Sequence, residues 1–385
     1  MLPAYLDWAA TACPDEDLLS KAARVATEYF GNPSSPHAAG RQAAGLLADC
    51  RRRLAECLGC APEEVVFTSG GTEANNLVLF SLLLHRGERR VVLSGLEHDS
   101  LYIAARRLQN LGGQAAIVPA GPDGRVDPAR VLGAVDARTA LVVLMLVSNE
   151  TGAIQPVAEV ARGLADQARS SGRRVWLHTD AVQAFGKIPF RPAELGVDTA
   201  ALSAHKIGGP RGVGALYVRR PGKREFLNGG GGQEEGRRPG TENLAGAWAL
   251  AEAGGRAAGA LEERFRRARA LMDGLIGGLR SIPGCRILPE ARTQQEEQFS
   301  PYILSVAFPP VPGEVLVRVM EAEGFLISTG AACSSQKKER TRVLEACGVP
   351  RAIAACSVRI SIGPQTSEAE LEGLLNALRR RLPGL

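Results

Sequence analysis

Between about residue 60 and residue 220 the chain alternates short apolar runs with longer amphipathic stretches, which restricts it to a layered α/β fold. VVFTSG (65–70) reads as a strand that runs straight into a helix over TEANNLVLFSLLLH. VVLSG (91–95), AAIVPA (115–120), TALVVLMLV (139–147), RVWLHTD (174–180), TAALSAHK (199–206) and VGALYVRR (213–220) read as further strands. Several are apolar on both faces, as strands covered by helices on two sides must be. PVAEVARGLADQARSSG (156–172) opens with Pro and closes with Gly, the punctuation of a helix.

The tract GGGGQEEGRRPGTEN (229–243) breaks this pattern, and four consecutive glycines suit a flexible linker. Beyond it the pattern predicts two helical stretches over about 242–280, strands near 303–308 and 357–362, and helices near 312–323 and 367–381. With 385 residues the chain can fill two bodies. The expected division is a large α/β domain with a mostly parallel sheet over 15–255. A smaller α+β domain takes 1–14 and 256–385 and carries a loop around Cys333.

Charge and apolar runs exclude several function classes. The 46 Lys and Arg stand against 41 Asp and Glu, and no contiguous basic face with interleaved aromatics argues for nucleic acid. No apolar run is long enough to span a bilayer, and MLPAYLDWAA lacks the basic start and apolar core of a signal peptide. The expectation is a cytoplasmic protein whose eight cysteines are mostly reduced. Cys57 and Cys60 have CxxC spacing but no second ligand pair nearby, so they read as small apolar residues closing a helix rather than as a metal site.

The chemistry-bearing segments fall at predicted strand ends. Lys206, in SAHKIGGP, follows an apolar strand and precedes a Gly-rich turn. Taken alone it is a strand-end lysine with its ammonium in water. The small polar neighbours Ser203 and His205 favour instead a Schiff-base lysine beside a phosphate. Asp180 ends another strand, where it suits either a helix N-cap or the carboxylate that pairs with the ring nitrogen of pyridoxal phosphate. Gln183 is expected one turn into the next helix. TSGGTEANN (68–76) is a strand, a Gly-rich turn at Gly71 and a helix start; with the Thr72 hydroxyl it can cradle a phosphate. His98, just past a strand end, suits either a helix N-terminus or an imidazole stacked on a planar ring. Cys333, among small and polar residues, reads as a loop thiol, with Lys337, Lys338 and Arg340 near enough in sequence to stabilise a thiolate. Arg359, in SVRISIGP, is a surface strand arginine or the partner of a carboxylate.

Together these strings resemble the cysteine desulfurases of iron–sulfur cluster assembly, within the class V group of fold-type I pyridoxal phosphate enzymes. The resemblance runs from YLDWAAT (5–11) through GNPSSPHAAGRQA, FTSGGTEANN, SNETGAIQP and GTEN to SVRISIGPQT (357–366), in the family's order. It implies that Lys206 binds the cofactor covalently, Asp180 pairs with its ring nitrogen and Gln183 with its ring hydroxyl. His98 stacks on the ring and moves protons. Gly71, Thr72, Ser203 and His205 hold the phosphate, with Thr241 reaching in from a partner subunit of a homodimer. Asn149 lies beside the cofactor and, with Arg359, holds the carboxylate of L-cysteine. Cys333 takes the sulfur as a persulfide and passes it to an acceptor or scaffold protein. Ser148, Val182 and Pro239 depart from the family's pattern, and QKKER after the cysteine is more charged than usual. No metal, nucleic acid or membrane is implied. Selenocysteine lyase shares such a site and stays open. An aminotransferase has no use for a thiol at 333. An inactive scaffold paralogue would have lost the groups that this chain keeps.

Overall fold

The computed structural model describes residues 3–84, 89–220, 225–293, 296–330 and 341–385. The chain opens on β1 (Ala4–Tyr5). Asp15 then caps α1 (Glu16–Glu28) by accepting the Leu18 N–H, and Leu18, Ala22 and Val25 form its buried stripe at helical spacing. α2 (Ala38–Leu58) begins where the His37 ring accepts the Gly40 N–H and stops at Gly59, whose φ of 65° turns the chain out of the helix. Cys57 and Cys60 flank that stop as free thiols packed against the core, as the sequence leads one to expect.

Strands and helices then alternate: β2 (Val65–Thr68), α3 (Gly71–Phe80), β3 (Arg90–Ser94), α4 (Asp99–Asn110), β4 (Gln114–Val118), α5 (Pro128–Gly133), β5 (Thr139–Val143), α6 (Val157–Ser171), β6 (Trp176–Asp180), α7 (Pro192–Leu195), β7 (Thr199–Ser203) and β8 (Gly214–Val218). Seven strands make one sheet in the order β2-β8-β7-β6-β5-β3-β4. All its pairings are parallel except those of β8, which runs antiparallel between β7 and β2. Two reversals leave β2 pointing the same way as β7. The C-terminal ends of β2, β3, β5, β6 and β7 therefore open on one edge.

The sheet is apolar on both faces because each strand feeds two cores in alternation. Val66, Val91, Leu93 and Leu216 pack with Leu77 of α3 and Leu101 of α4. Val65, Val92, Ala215 and Tyr217 pack with Leu54 of α2 and Val160 of α6. Leu54 is fully enclosed, so truncation to Ala costs about 2–5 kcal/mol.

The remainder comprises α8 (Leu244–Gly259), α9 (Leu261–Arg280), β9 (Arg286–Leu288), β10 (Ile303–Ala307), α10 (Gly313–Ala322), β11 (Phe325–Leu326), α11 (Arg342–Ala346), α12 (Arg351–Ala354), β12 (Ser357–Ser361) and α13 (Glu368–Arg381). Strands β12, β10 and β9 form an antiparallel sheet, and β1 pairs in parallel with β11. The N-terminal segment thus adds to the C-terminal part: Asp7 bridges to Ser361, and a Cβ on Gly363 would sit 2.1 Å from the Trp8 ring.

The glycine tract departs from the expected loose linker. Glu234 is buried within it; two guanidinium nitrogens of Arg51 and the Phe67 N–H donate to its carboxylate at 2.7, 2.7 and 2.9 Å. α8, which follows the tract, packs on α1 and α2. Gln183 also differs from expectation: residues 182–187 form turns rather than a helix. Among the described residues no helix is long and apolar enough to cross a membrane, and no His, Cys, Asp and Glu group could hold a metal ion.

Candidate active site

The sheet edge just described opens into a cavity of roughly 230 Å³. Five strands, β2, β3, β5, β6 and β7, lead to side chains in it from their C-terminal ends, the place where open α/β sheets build their sites. β2 leads to Gly71 and Thr72, β3 to His98, β5 to Asn149, β6 to Asp180 and Gln183, and β7 to Ser203, His205 and Lys206. Arg359 of β12 completes the wall from the small sheet. Sequence-predicted residues separated by up to 288 positions are thereby brought together, from Gly71 to Arg359. Thr241 is exposed and lies outside this cavity. Cys333, with Lys337, Lys338 and Arg340, lies outside the described residues.

Lys206 sits in a short turn after β7. Its Nζ donates to the Ala9 and Ala10 carbonyls at 2.6 and 2.9 Å, so the N-terminal segment orients the amine. Gln183 Nε2 donates to the same Ala9 carbonyl at 2.8 Å, while its Oε1 accepts from Lys187 Nζ at 2.7 Å. Burial, with Lys206 and Arg359 close by, pushes the Lys187 amine down to about 7. His205 lies 3.1 Å from the Thr11 hydroxyl, and burial followed by the charges of Lys206, Lys187 and Arg211 pushes it down to about 4. At neutral pH its imidazole is uncharged and offers a single N–H.

Opposite Lys206, Asp180 receives the Val182 N–H at 3.0 Å on Oδ1 and Asn75 Nδ2 at 2.8 Å on Oδ2. His98 caps α4, its Nδ1 accepting the Ser100 N–H at 3.1 Å. Burial lowers the His98 pKa, with Asp180 acting in the opposite direction and Lys206 in the same one. Asn75 and Ser100 do not stand out in the sequence, because small polar residues at a helix start usually do no more than cap it.

Two glutamates were also missed. Glu97 is buried; Ser94 Oγ and the Met145 N–H donate to its Oε1 at 2.6 and 2.8 Å, while Oε2 has no partner among the described residues. Glu150 is buried behind Gly330. Burial pushes both up to about 7. The signal available in the sequence was position alone: each glutamate adjoins a predicted site residue, His98 or Asn149.

The surface reading of Arg359 is replaced. The side chain is buried and donates to the Asn149 carbonyl at 2.8 Å, the Gly330 carbonyl at 3.1 Å and Asp7 Oδ1 at 2.7 Å. On the other flank of the Cys333 segment, Arg342 donates to the Gly95 and Glu97 carbonyls at 2.6 and 2.7 Å and stacks 4.0 Å from the Tyr102 ring centre. Both flanks are thus tied to the cavity wall.

These residues fit pyridoxal phosphate. A Cβ on Gly71 would lie 2.6 Å from Val182 Cγ2, so bare backbone is needed there. Gly70 at φ 151° lends α3 no side-chain cap, which leaves the first helical N–H groups to face an anion beside Thr72 and Ser203. An amine, an acceptor carboxylate and an imidazole then surround the space above that cradle.

Residues 4–374 match the family profile described as aminotransferase class-V. The chain is 34% identical to a cysteine desulfurase IscS of Dictyoglomus turgidum, covering 98% of this chain and 93% of that one. It is 32% identical to an IscS of Methanosarcina thermophila, covering 97% and 90%. Among solved structures, a NifS-like protein superposes with a TM-score of 0.90 at 33% identity over the whole of both chains. SspA in complex with cysteine superposes at 0.80 and 26%, covering 94% and 100%. Full-length matches of this kind, on a fold whose strand ends carry the amine, carboxylate and imidazole just described, place the chain in the class-V aminotransferase family, among its cysteine desulfurases.

Proposed function

We propose that this cysteine desulfurase takes sulfur from L-cysteine with pyridoxal phosphate held at Lys206, leaving alanine and a persulfide on Cys333. The convergence of Lys206, Asp180 and His98 on one cavity over the α3 phosphate cradle carries the reading. The large domain, 15–255, supplies the cofactor residues; the small domain, 1–14 and 256–385, supplies Arg359 and the Cys333 segment.

When bound, the cofactor supplies an electron sink for the substrate's α-carbon. The chain's own residues do the rest. Thr72, Ser203 and His205, with the α3 N–H groups at Gly71, hold the phosphate, and Thr241 of a second copy completes the grip in a homodimer. Asp180 holds a proton at the ring nitrogen, Gln183 bonds the ring hydroxyl, and His98 covers the ring. Arg359 and Asn149 orient the substrate carboxylate. Lys206 Nζ moves the α-proton, a task worth roughly 10²–10⁴-fold. The Cys333 thiolate attacks the substrate Sγ; an S–S bond forms, the Cβ–Sγ bond breaks, and its electron pair stays with the substrate carbon. Protonation of that carbon, with a proton returned to the α-carbon by Lys206 Nζ, gives alanine. The persulfide then passes to an acceptor protein in the cytoplasm for cluster or thio-cofactor synthesis.

The test is direct. The purified chain should carry a visible absorbance band from its cofactor and release alanine and sulfide in equal amounts from L-cysteine and a reductant. A colourless protein that pyridoxal phosphate does not colour would remove the reading.

A further inference from the structure

His98 and Asp180 are joined through two residues that no motif assigns a task. Asn75 Nδ2 donates to Asp180 Oδ2 and to Ser100 Oγ, both at 2.8 Å. Ser100 Oγ lies 2.9 Å from His98 Nδ1, and the Ser100 N–H points at the same nitrogen. On its other side Asn75 Oδ1 lies 2.9 Å from His178 Nε2, and His178 Nδ1 lies 2.8 Å from the Thr199 hydroxyl. Asn75, His178 and Thr199 are buried.

The direction of every bond follows from one acceptor. An ionised carboxylate only accepts, so Asp180 must face the amide nitrogen of Asn75, which turns Asn75 Oδ1 toward His178. His178 therefore carries its proton on Nε2 and accepts at Nδ1; burial pushes its pKa down to about 3, which agrees with a neutral ring. The second Asn75 N–H is spent on Ser100 Oγ. The Ser100 hydroxyl hydrogen is then left for His98 Nδ1. With a hydroxyl and an amide both directed at it, Nδ1 carries no proton.

We propose that Asn75 and Ser100 are positioning residues that, through one directional chain of hydrogen bonds starting at the Asp180 carboxylate, hold His98 as the neutral tautomer with its hydrogen on Nε2. The proposal rests on the reading of His98 and Asp180 as working groups of the site. It fixes which atom His98 presents to the cavity: an Nε2–H donor. It also ties the ring's orientation to the carboxylate on the far side, so that neither residue moves alone.

The test reads the tautomer without reference to turnover. The holoenzyme is grown with ¹⁵N-histidine; only five histidines are present, and His98→Gln assigns the signal. Two-bond ¹⁵N–¹H spectra of the unmutated protein should show His98 with a protonated Nε2 and a bare Nδ1 at neutral pH. In Ser100→Ala the Nδ1 signal should move toward that of a ring nitrogen with fewer donors, and kcat should fall about tenfold, the worth of one buried hydrogen bond. Ser100→Thr, which keeps the hydroxyl, should restore both. A protonated Nδ1 in the unmutated protein overturns the proposal, as does a Ser100→Ala spectrum identical to it. If the tautomer is as stated but no sulfide is released from cysteine, the positioning stands and the reaction assigned above falls.

Discussion

Arg359 and Asp7, 352 positions apart in the chain, form an ion pair at 2.7 Å beside the cavity. The pair fastens the N-terminal segment to β12, and that segment supplies the carbonyls that hold Lys206. Asp7 and two carbonyls occupy NH1 and NH2 of Arg359, yet its Nε is buried with no partner among the described residues. A buried donor left unmade is costly, and a substrate carboxylate would satisfy it.

Arg359→Ala should therefore raise KM for L-cysteine about 10–100-fold, the range for losing a hydrogen bond to a charged group, with a smaller change in kcat. Steady-state kinetics over a wide cysteine range checks this. An unchanged KM would place Arg359 outside substrate binding.

Lys206→Ala should abolish turnover and leave the cofactor removable by gel filtration. The substitution leaves Gly71 and Thr72 in the cavity wall untouched, so if they hold the phosphate as proposed, added pyridoxal phosphate should still bind, but reversibly. A covalent adduct that survives in Lys206→Ala, detected by mass spectrometry after borohydride reduction, would mean that another lysine holds the cofactor.

Much of this site was legible because strand ends are legible. Lys206, Asp180 and His98 each follow an apolar run that cannot be anything but a buried strand in this pattern, and the fold needs only parallel pairing to bring them to one edge. What escaped were the residues whose role depends on a partner far away in sequence. Asn75 meets His178 across 103 positions, and Asp7 meets Arg359 across 352. Glu97 and Glu150 escaped for a different reason: glutamate belongs at the surface unless something buried needs it. The antiparallel direction of β8 was legible in its connection: the stretch between β7 and β8 is too short for the crossover that a parallel neighbour needs.

The buried amine of Lys187 predicts a pH dependence of stability. Its folded pKa, about 7, lies below the unfolded value of about 10.4, so between those pH values the unfolded chain binds more protons. Stability from this group is therefore lowest below pH 7 and rises as pH increases toward 10. Lys187→Met removes the dependence. In cofactor-free protein, the stability of the unmutated chain relative to Lys187→Met should climb with pH from 7 to 10, by at most about 1.4 kcal/mol per pH unit. Parallel denaturation curves across that range would show that the amine is solvated.

Thr241 is exposed in a single chain and lies outside that chain's own cavity, and it follows a tract in which Glu234 is bonded to Arg51. In a homodimer with shared sites, Thr241→Ala should weaken pyridoxal phosphate binding several-fold. Mixing inactive Lys206→Ala with Thr241→Ala should give heterodimers with one site free of both changes. Light scattering that finds a fully active monomer would end this account of Thr241.

The central claim is that sulfur leaves cysteine by attack of the Cys333 thiolate, and Cys333→Ser tests it most directly. Lys206, Asp180 and the phosphate cradle do not depend on the thiol, so the variant should bind pyridoxal phosphate and show an unaltered visible band. A serine hydroxyl is a far weaker nucleophile at neutral pH than a thiol that is already a few per cent ionised. Mass spectrometry after incubation with L-cysteine should find one extra sulfur on the Cys333 peptide of the unmutated protein, none on any peptide of the variant, and no alanine from the variant. Alanine and sulfide released by Cys333→Ser at the unmutated rate would contradict the account.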